Sequence, residues 1–190
     1  WQQLWGISMS DQVLSALEQF FLRWQRDGEA RRGLPLCEWE ADWRSPCELD
    51  EPREGRVAWR PYRRPVPADF AAMADALELT LHPSALALFG HWFSRPLPCS
   101  YKGLRIELIL PWNEADLDLL KENLIGHLLM LRKLKRTPSL FIATTRNEMT
   151  LVSLDNESGQ VWLEWLDSGR RLVLAPSLPA FLTRLETLPQ

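Results

Sequence analysis

Histidine side chains are the first candidates for metal binding or acid–base chemistry in this sequence. The chain has three of them, His82, His91 and His127. They lie singly, in neither the His-x-x-x-His nor the HExxH spacing that places two imidazoles on one helix face around zinc. We therefore predict no metal site and expect each imidazole to cap a helix or to pack in the core.

Thiol and hydroxyl nucleophiles also lack a catalytic setting. The chain has three cysteines, Cys37, Cys47 and Cys99. An odd number without a CxxC pair argues against a disulfide framework or a zinc knuckle and indicates reduced thiols in the cytosol. No serine has the glycines of a nucleophile elbow, and Cys99 is expected in a Pro-rich turn. The sequence thus predicts no enzyme, and an enzyme hypothesis would need a deep pocket that gathers His127 with Glu122.

Glycines do not form a phosphate-binding loop here. Nucleotide sites need a glycine-rich turn between a strand and a helix, whereas Gly103, Gly126 and Gly159 are isolated. No cofactor is therefore predicted. Gly126 falls inside a predicted helix, where glycine costs about 1 kcal/mol relative to alanine, so we expect a neighbouring strand or helix to cross closely there.

Acidic residues crowd one stretch of the chain although the net charge is only −3. They are Glu38, Glu40, Asp42, Glu48, Asp50, Glu51 and Glu54. Because they are set among Trp39, Trp43 and Trp59, the stretch fits an acidic surface with aromatic anchors, suited to a basic protein loop. A charged loop that only contacts solvent is the alternative.

Basic residues crowd two other stretches, 56–64 and 132–136. The second stretch falls at the C-terminal end of a predicted helix, where positive side chains interact favourably with the helix dipole. Since the chain is also acidic overall, we predict no nucleic-acid binding.

Length and composition predict one globular domain. The chain has 190 residues, of which 46% are hydrophobic and 25% charged, enough to bury a core. No stretch reaches the roughly 20 apolar residues of a membrane-spanning helix, and the first residues lack a secretory pattern, so we expect a soluble cytosolic protein. Met9 resembles a natural start, which makes residues 1–8 an expected upstream segment and 9–190 a single domain.

Apolar periodicity predicts the elements that position these residues. Amphipathic helices are predicted from Ser10 to before Gly28, at 69–76, from Pro83 through Phe93, at 113–135 and from the cap Ser177 through Leu188. Extended segments are predicted at 78–82, 104–108, 139–144, 149–154, 160–165 and 172–174, the last four as an antiparallel meander. Residues 29–67 are expected to wrap irregularly and to pack through their tryptophans. The predicted class is α+β, with a mostly antiparallel sheet and helices packed on one face.

The helix at 113–135 has the best local signal in the sequence. Asn113 can cap it, Asp116 occupies the reciprocal position of a capping box, and Trp112 can pack on Leu117 as a hydrophobic staple. Leucines from Leu117 onward form one apolar stripe.

Three segments of the chain carry a resemblance to a known family. WNEAD at 112–116, ENLIGHL at 122–128 and LFIAT at 140–144 closely resemble the Syd family, the SecY-interacting proteins of bacteria. Segments 45–47, 57–59, 81–83 and 158–159 follow in the family's order, so the resemblance extends over nearly everything after Met9. The 29–67 region departs most, with additional arginines and tryptophans.

The resemblance implies a SUKH-like α+β fold and a partner, SecY, whose basic cytosolic loops meet a concave acidic surface. It implies a regulator or quality-control factor of protein export, peripheral on the cytoplasmic face of the inner membrane and held there through SecY. The partner-binding candidates are Glu38, Glu40, Asp42, Trp112, Glu114, Asp116 and Glu122. For Trp112 the structural role of helix staple competes with direct contact. A SUKH-type immunity protein that neutralises a toxin by binding is the alternative function.

Overall fold

The first helix is longer than its sequence pattern predicts. The computed structural model describes residues 6–188. Helix α1 covers Met9–Arg32 and buries the stripe that contains Phe20 and Phe21. Its cap is Ser8 rather than the predicted Ser10, because Ser8 Oγ accepts a hydrogen bond from the Asp11 amide. The helix passes Gly28 and ends at Gly33, whose φ of 78° suits a residue without a Cβ.

The region after α1 forms two small sheets rather than only an irregular wrap. Strands β1 (Leu36–Glu38) and β2 (Arg56–Ala58) pair antiparallel, and β3 (Tyr62–Arg63) pairs with β4 (Trp92–Phe93). The predicted packing through tryptophans is confirmed, since Trp59 is buried and Trp39 and Trp43 pack half-buried against the same core.

Two short helices lie between β3 and β4. Helix α2 covers Ala71–Leu77, and α3 covers Pro83–Gly90 with the proline in its first turn, as predicted. No strand forms in the predicted extended run at 78–82: Glu78 adopts a left-handed conformation that ends α2, whereas His82 is extended. Phe93, predicted on α3, lies instead in β4.

A seven-stranded antiparallel sheet forms the centre of the protein. Its strands are β5 (Leu97–Tyr101), β6 (Leu104–Leu108), β7 (Ser139–Thr145), β8 (Thr150–Asp155), β9 (Val161–Trp165), β10 (Arg171–Ala175) and β11 (Leu185–Thr187). Their order is β10-β9-β8-β7-β6-β5-β11. The α+β class and the predicted meander are confirmed. The predicted turn around Cys99 is wrong, because Cys99 lies within β5, paired on both sides.

Helix α4 (Glu114–Lys133) packs on β7 and α2, and α5 (Leu178–Thr183) packs on α1 and β10. Ser177 caps α5 as predicted, but that helix ends early and residues 185–187 form β11. The prediction that an element crosses closely at Gly126 is wrong, because a Cβ built on Gly126 meets no atom within 4 Å. Among the described helices, none combines the length and apolarity needed to cross a membrane.

Candidate partner-binding surface

The predicted acids at Glu38, Glu40 and Asp42 are all exposed. Glu38 ends β1, and the other two lie in the segment 39–55 that joins β1 to β2, which we call the acidic loop. Exposed acidic side chains at a strand end and in a connecting segment are accessible to a partner.

Three hydrogen bonds fix the acidic loop against the start of α4. The Trp112 indole Nε1 donates to the carbonyl of Trp43 at 3.2 Å, and Asn113 Nδ2 donates to the carbonyl of Arg44 at 2.9 Å. Ser45 Oγ donates to the carbonyl of Trp112 at 2.6 Å. The loop and the first turn of α4 therefore form one connected surface, although they are nearly 70 residues apart in sequence.

The first turn of α4 is capped much as the sequence predicts. Asn113 Oδ1 accepts from the Asp116 amide at 2.8 Å, and Asp116 Oδ2 accepts from the Trp112 amide at 2.8 Å. The Trp112 side chain is 3% exposed and meets Trp59 edge to face, with ring centroids 5.9 Å apart. Trp112 thus has the structural role, and Asp116 uses one carboxylate oxygen within the turn.

Glu114 is the exposed acid of the first turn, and it has a partner that the sequence analysis missed. Arg64 Nη2 lies 2.6 Å from Glu114 Oε1, with side-chain exposures of 11% and 66%. The Arg64 guanidinium also lies over the Phe93 ring, 4.7 Å from its centroid. Arg64 belongs to the basic stretch at 56–64, which was the only feature of the sequence that pointed to this ion pair. Glu122, two turns further along α4, is exposed.

Not all acids of the 38–54 stretch face solvent. The Glu48 side chain is 5% exposed, pairs with Arg44 at 2.7 Å and accepts from the Ser45 amide at 2.9 Å. It therefore stabilises the acidic loop from inside. The remaining acids of the stretch, Asp50, Glu51 and Glu54, line a separate groove of about 730 Å³ with the exposed Leu34 and Leu36.

The cysteines and histidines do not form a reactive centre. All three thiols are buried, and burial raises the pKa of Cys47 and of Cys99 to about 12, so neither is a thiolate near neutral pH. Across residues 6–188, no three His, Cys, Asp or Glu side chains lie close enough to hold a metal ion together.

His127 and Glu122 do not form the pair from which an enzyme hypothesis would start. Glu122 is exposed on the outer side of α4, whereas His127 is buried and packs edge to face on Phe141. Burial lowers the pKa of His127, and the nearby Glu164 opposes that shift. Glu164 is itself 1% exposed and accepts hydrogen bonds from two serines and from Arg171 at 2.6 Å. The Glu164 carboxylate is therefore satisfied by structural contacts.

Together the fold and the surface define a small α+β protein in which an acidic loop is attached to the start of a long helix. A family model described as "Syd protein (SUKH-2)" matches residues 14–187. The chain therefore belongs to the Syd family, as its sequence motifs predict.

Curated relatives extend over the same length. A protein of Aeromonas salmonicida (strain A449) named "Protein Syd" is 91% identical over 181 residues, which cover 95% of this chain and 100% of the relative. The protein of that name from Aeromonas hydrophila subsp. hydrophila is 90% identical over 182 residues, covering 96% and 100%. One from Tolumonas auensis is 45% identical over 183 residues, covering 96% and 93%.

Proposed function

We propose that this protein binds the basic cytosolic loops of SecY through the acidic loop and the first turns of α4. It would act as a regulator or quality-control factor of protein export on the cytoplasmic face of the inner membrane, without catalysis. Membership of the Syd family supports the partner, and the distribution of exposed acids supports the mode of binding.

The observation that carries the proposal is the attachment of the acidic loop to α4. Without the hydrogen bonds to Trp112 and Asn113, the acids of the loop would be free to move away from Glu114. With them, the part of the loop next to Asp42 is held beside the first turn of α4, which carries Glu114. A fixed cluster of like charges attracts a cationic segment more strongly than the same charges on a mobile loop, since less ordering entropy is lost on binding.

Each residue has a distinct part in the proposed surface. Glu38, Glu40 and Asp42 supply charge directly, and Glu122 extends the charge along α4. Trp112, Asn113 and Asp116 do not contact the partner in this proposal, because they act by holding the backbone in position. Glu114 exchanges its ion pair with Arg64 for one with the partner, or shares it.

Charge reversal tests the proposal. The affinity of SecY in nanodiscs is measured by calorimetry for the wild type and for the triple variant Glu38→Lys, Glu40→Lys, Asp42→Lys. We expect at least a roughly tenfold loss, since each exposed pair contributes up to about 1 kcal/mol. A matched control reverses three exposed acids elsewhere, Glu107, Glu148 and Glu186, with the same change of net charge.

Salt dependence supplies the second measurement. Exposed charges are screened over about 8 Å at physiological ionic strength, so wild-type affinity should fall as salt rises. Equal binding by both triple variants, independent of salt, would contradict the acidic-surface mechanism. Absence of any SecY binding by the wild type would exclude the proposed partner and would favour the alternative function, a SUKH-type immunity protein.

A further inference from the structure

The outer side of α4 presents a continuous exposed face that shares only Glu122 with the residues of the proposed SecY surface. Its exposed residues recur at three- and four-residue spacing, which is the pattern of one helix face. The face, called here the outer face, consists of Ala115, Asp118, Leu119, Glu122, Asn123, Gly126, Leu129, Met130 and Lys133. Three of these are large apolar side chains left partly in solvent: Leu119 is 49% exposed, Leu129 48% and Met130 37%.

Gly126 lies at the middle of the outer face. A Cβ there would meet no described atom within 4 Å, so nothing inside one copy of the chain requires a glycine. Glycine nevertheless costs about 1 kcal/mol relative to alanine at an exposed helix position. A glycine on an outer helix face does allow a second helix backbone to approach closely.

Charge is divided between the two halves of the same helix. On the outer face, the half before Gly126 has acids at Asp118 and Glu122, and the half after it ends with Lys133. A helix with one acidic and one basic half is complementary to a second copy of itself in the reversed direction. Such an isologous contact has a twofold axis, which would pass through the middle of the face.

Helix geometry shows that the reversed pairing also places apolar residues opposite each other. At 1.5 Å per residue, Leu119 and Met130 lie about 10 Å and 6 Å on opposite sides of Gly126. In a reversed copy each therefore comes opposite the other. On the other edge of the face, Asp118 lies about 12 Å before Gly126 and Lys133 about 10 Å after it, so the two charges also meet.

We propose that the outer face of α4 is a homodimer interface, in which two copies of this chain pack their α4 helices antiparallel about a twofold axis at Gly126. The contact buries Leu119, Leu129 and Met130 and pairs Asp118 of one copy with Lys133 of the other. One helix face covers less than the roughly 800 Å² per partner of a standard interface. The dimer is therefore weak, with a dissociation constant on the order of 10–100 µM.

Cysteine cross-linking tests the register directly. The native cysteines are buried, so a single introduced thiol provides the readout. Gly126→Cys at the axis should give a covalent dimer under copper–phenanthroline oxidation, because facing Cα atoms of closely packed helices come within disulfide range. Ala115→Cys on the same exposed face is the matched control, because its two copies would stand about 33 Å apart. Cross-linking at both positions, or at position 115 alone, would overturn the antiparallel arrangement.

Charge exchange tests the pairing in the unlabelled protein. Sedimentation equilibrium should show that Asp118→Lys and Lys133→Glu each weaken dimerisation about tenfold and that the double variant restores it. Both positions are exposed, so the variants should fold. A wild type that stays monomeric up to about 1 mM overturns the proposal. Lys133 lies outside the acidic loop and the first turns of α4, so loss of dimerisation with retained SecY binding in Lys133→Glu separates this inference from the proposed function.

Discussion

The imidazole of His82 lies so close to Gly159 that a Cβ added to the glycine would stand 2.6 Å from His82 Nε2. The contact is reinforced by Asn156, whose Oδ1 accepts from the His82 amide at 2.9 Å. These residues belong to two of the segments that carry the family resemblance, 81–83 and 158–159. Two motifs that are about 75 residues apart in sequence therefore form a single packing contact between the start of α3 and the β8–β9 turn.

Gly159→Ala should destabilise the protein by about 2 kcal/mol, because the new Cβ meets His82 and because the residue has φ 77°. His82→Ala removes the obstructing ring but also loses the cap that His82 Nδ1 provides to the Ser84 amide. In urea denaturation the double variant should therefore cost less than the two single variants added together, by about 1 kcal/mol. Strict additivity would show that the ring moves aside without cost.

Asn113 has two functions that two substitutions can separate. Asn113→Ala removes the cap of α4 and the hydrogen bond to the Arg44 carbonyl, and should cost about 1–2 kcal/mol. Asn113→Asp keeps an oxygen for the cap but has no amide to donate. We expect Asn113→Asp to keep the cap but to lose about 1 kcal/mol of stability, because a carboxylate oxygen then faces the Arg44 carbonyl, with faster limited proteolysis within residues 39–55. Unchanged cleavage there would mean that the other two hydrogen bonds suffice to hold the acidic loop.

Stability should fall as the pH is lowered below about 6.5, where unperturbed histidine takes up its proton. Burial lowers the pKa of His82, His91 and His127 in the folded protein. The unfolded chain therefore binds protons first as the pH falls, and acid favours unfolding, whereas the stabilisation is complete above that range.

His127→Leu isolates the part of this pH dependence that arises under α4. The buried Nε2 of His127 has no hydrogen-bond partner, so the substitution should change stability at pH 7.5 by less than about 1.5 kcal/mol. The loss of unfolding free energy between pH 7.5 and pH 5.5 should be smaller than in the wild type. An identical pH profile would place the titration on His82 and His91 alone.

Local signals in the sequence predicted local structure well. The cap at Asn113, the proline start of α3 and the turns of the β7–β10 meander depend on residues within four positions of one another, and all are found. Glu38, Glu40 and Asp42, chosen from the sequence for the proposed partner surface, are exposed, and their binding role stays a prediction.

Features that depend on distant residues could not be predicted in the same way. The prolines near Cys99 indicate a turn, yet β5 forms because β6 and β11 pair with it from both sides. Leu185 fits a helical pattern, but it lies in β11 because it pairs with Tyr101 of β5. The ion pair of Arg64 with Glu114 and the attachment of the acidic loop likewise join residues 50 or more positions apart, which no local pattern records.

The position of β11 at the edge of the sheet also determines when the protein can finish folding during synthesis. Strand β11 completes the pairing of β5, and Arg23 on α1 donates hydrogen bonds to the carbonyls of Leu182 and Leu185. These contacts of helix α1 therefore form only after residues about 160 positions later have been synthesised. A ribosome that still holds residues 178–187 in its exit tunnel carries a chain with an open sheet edge and a first helix that packs on α3 but lacks α5, a state to which chaperones would bind.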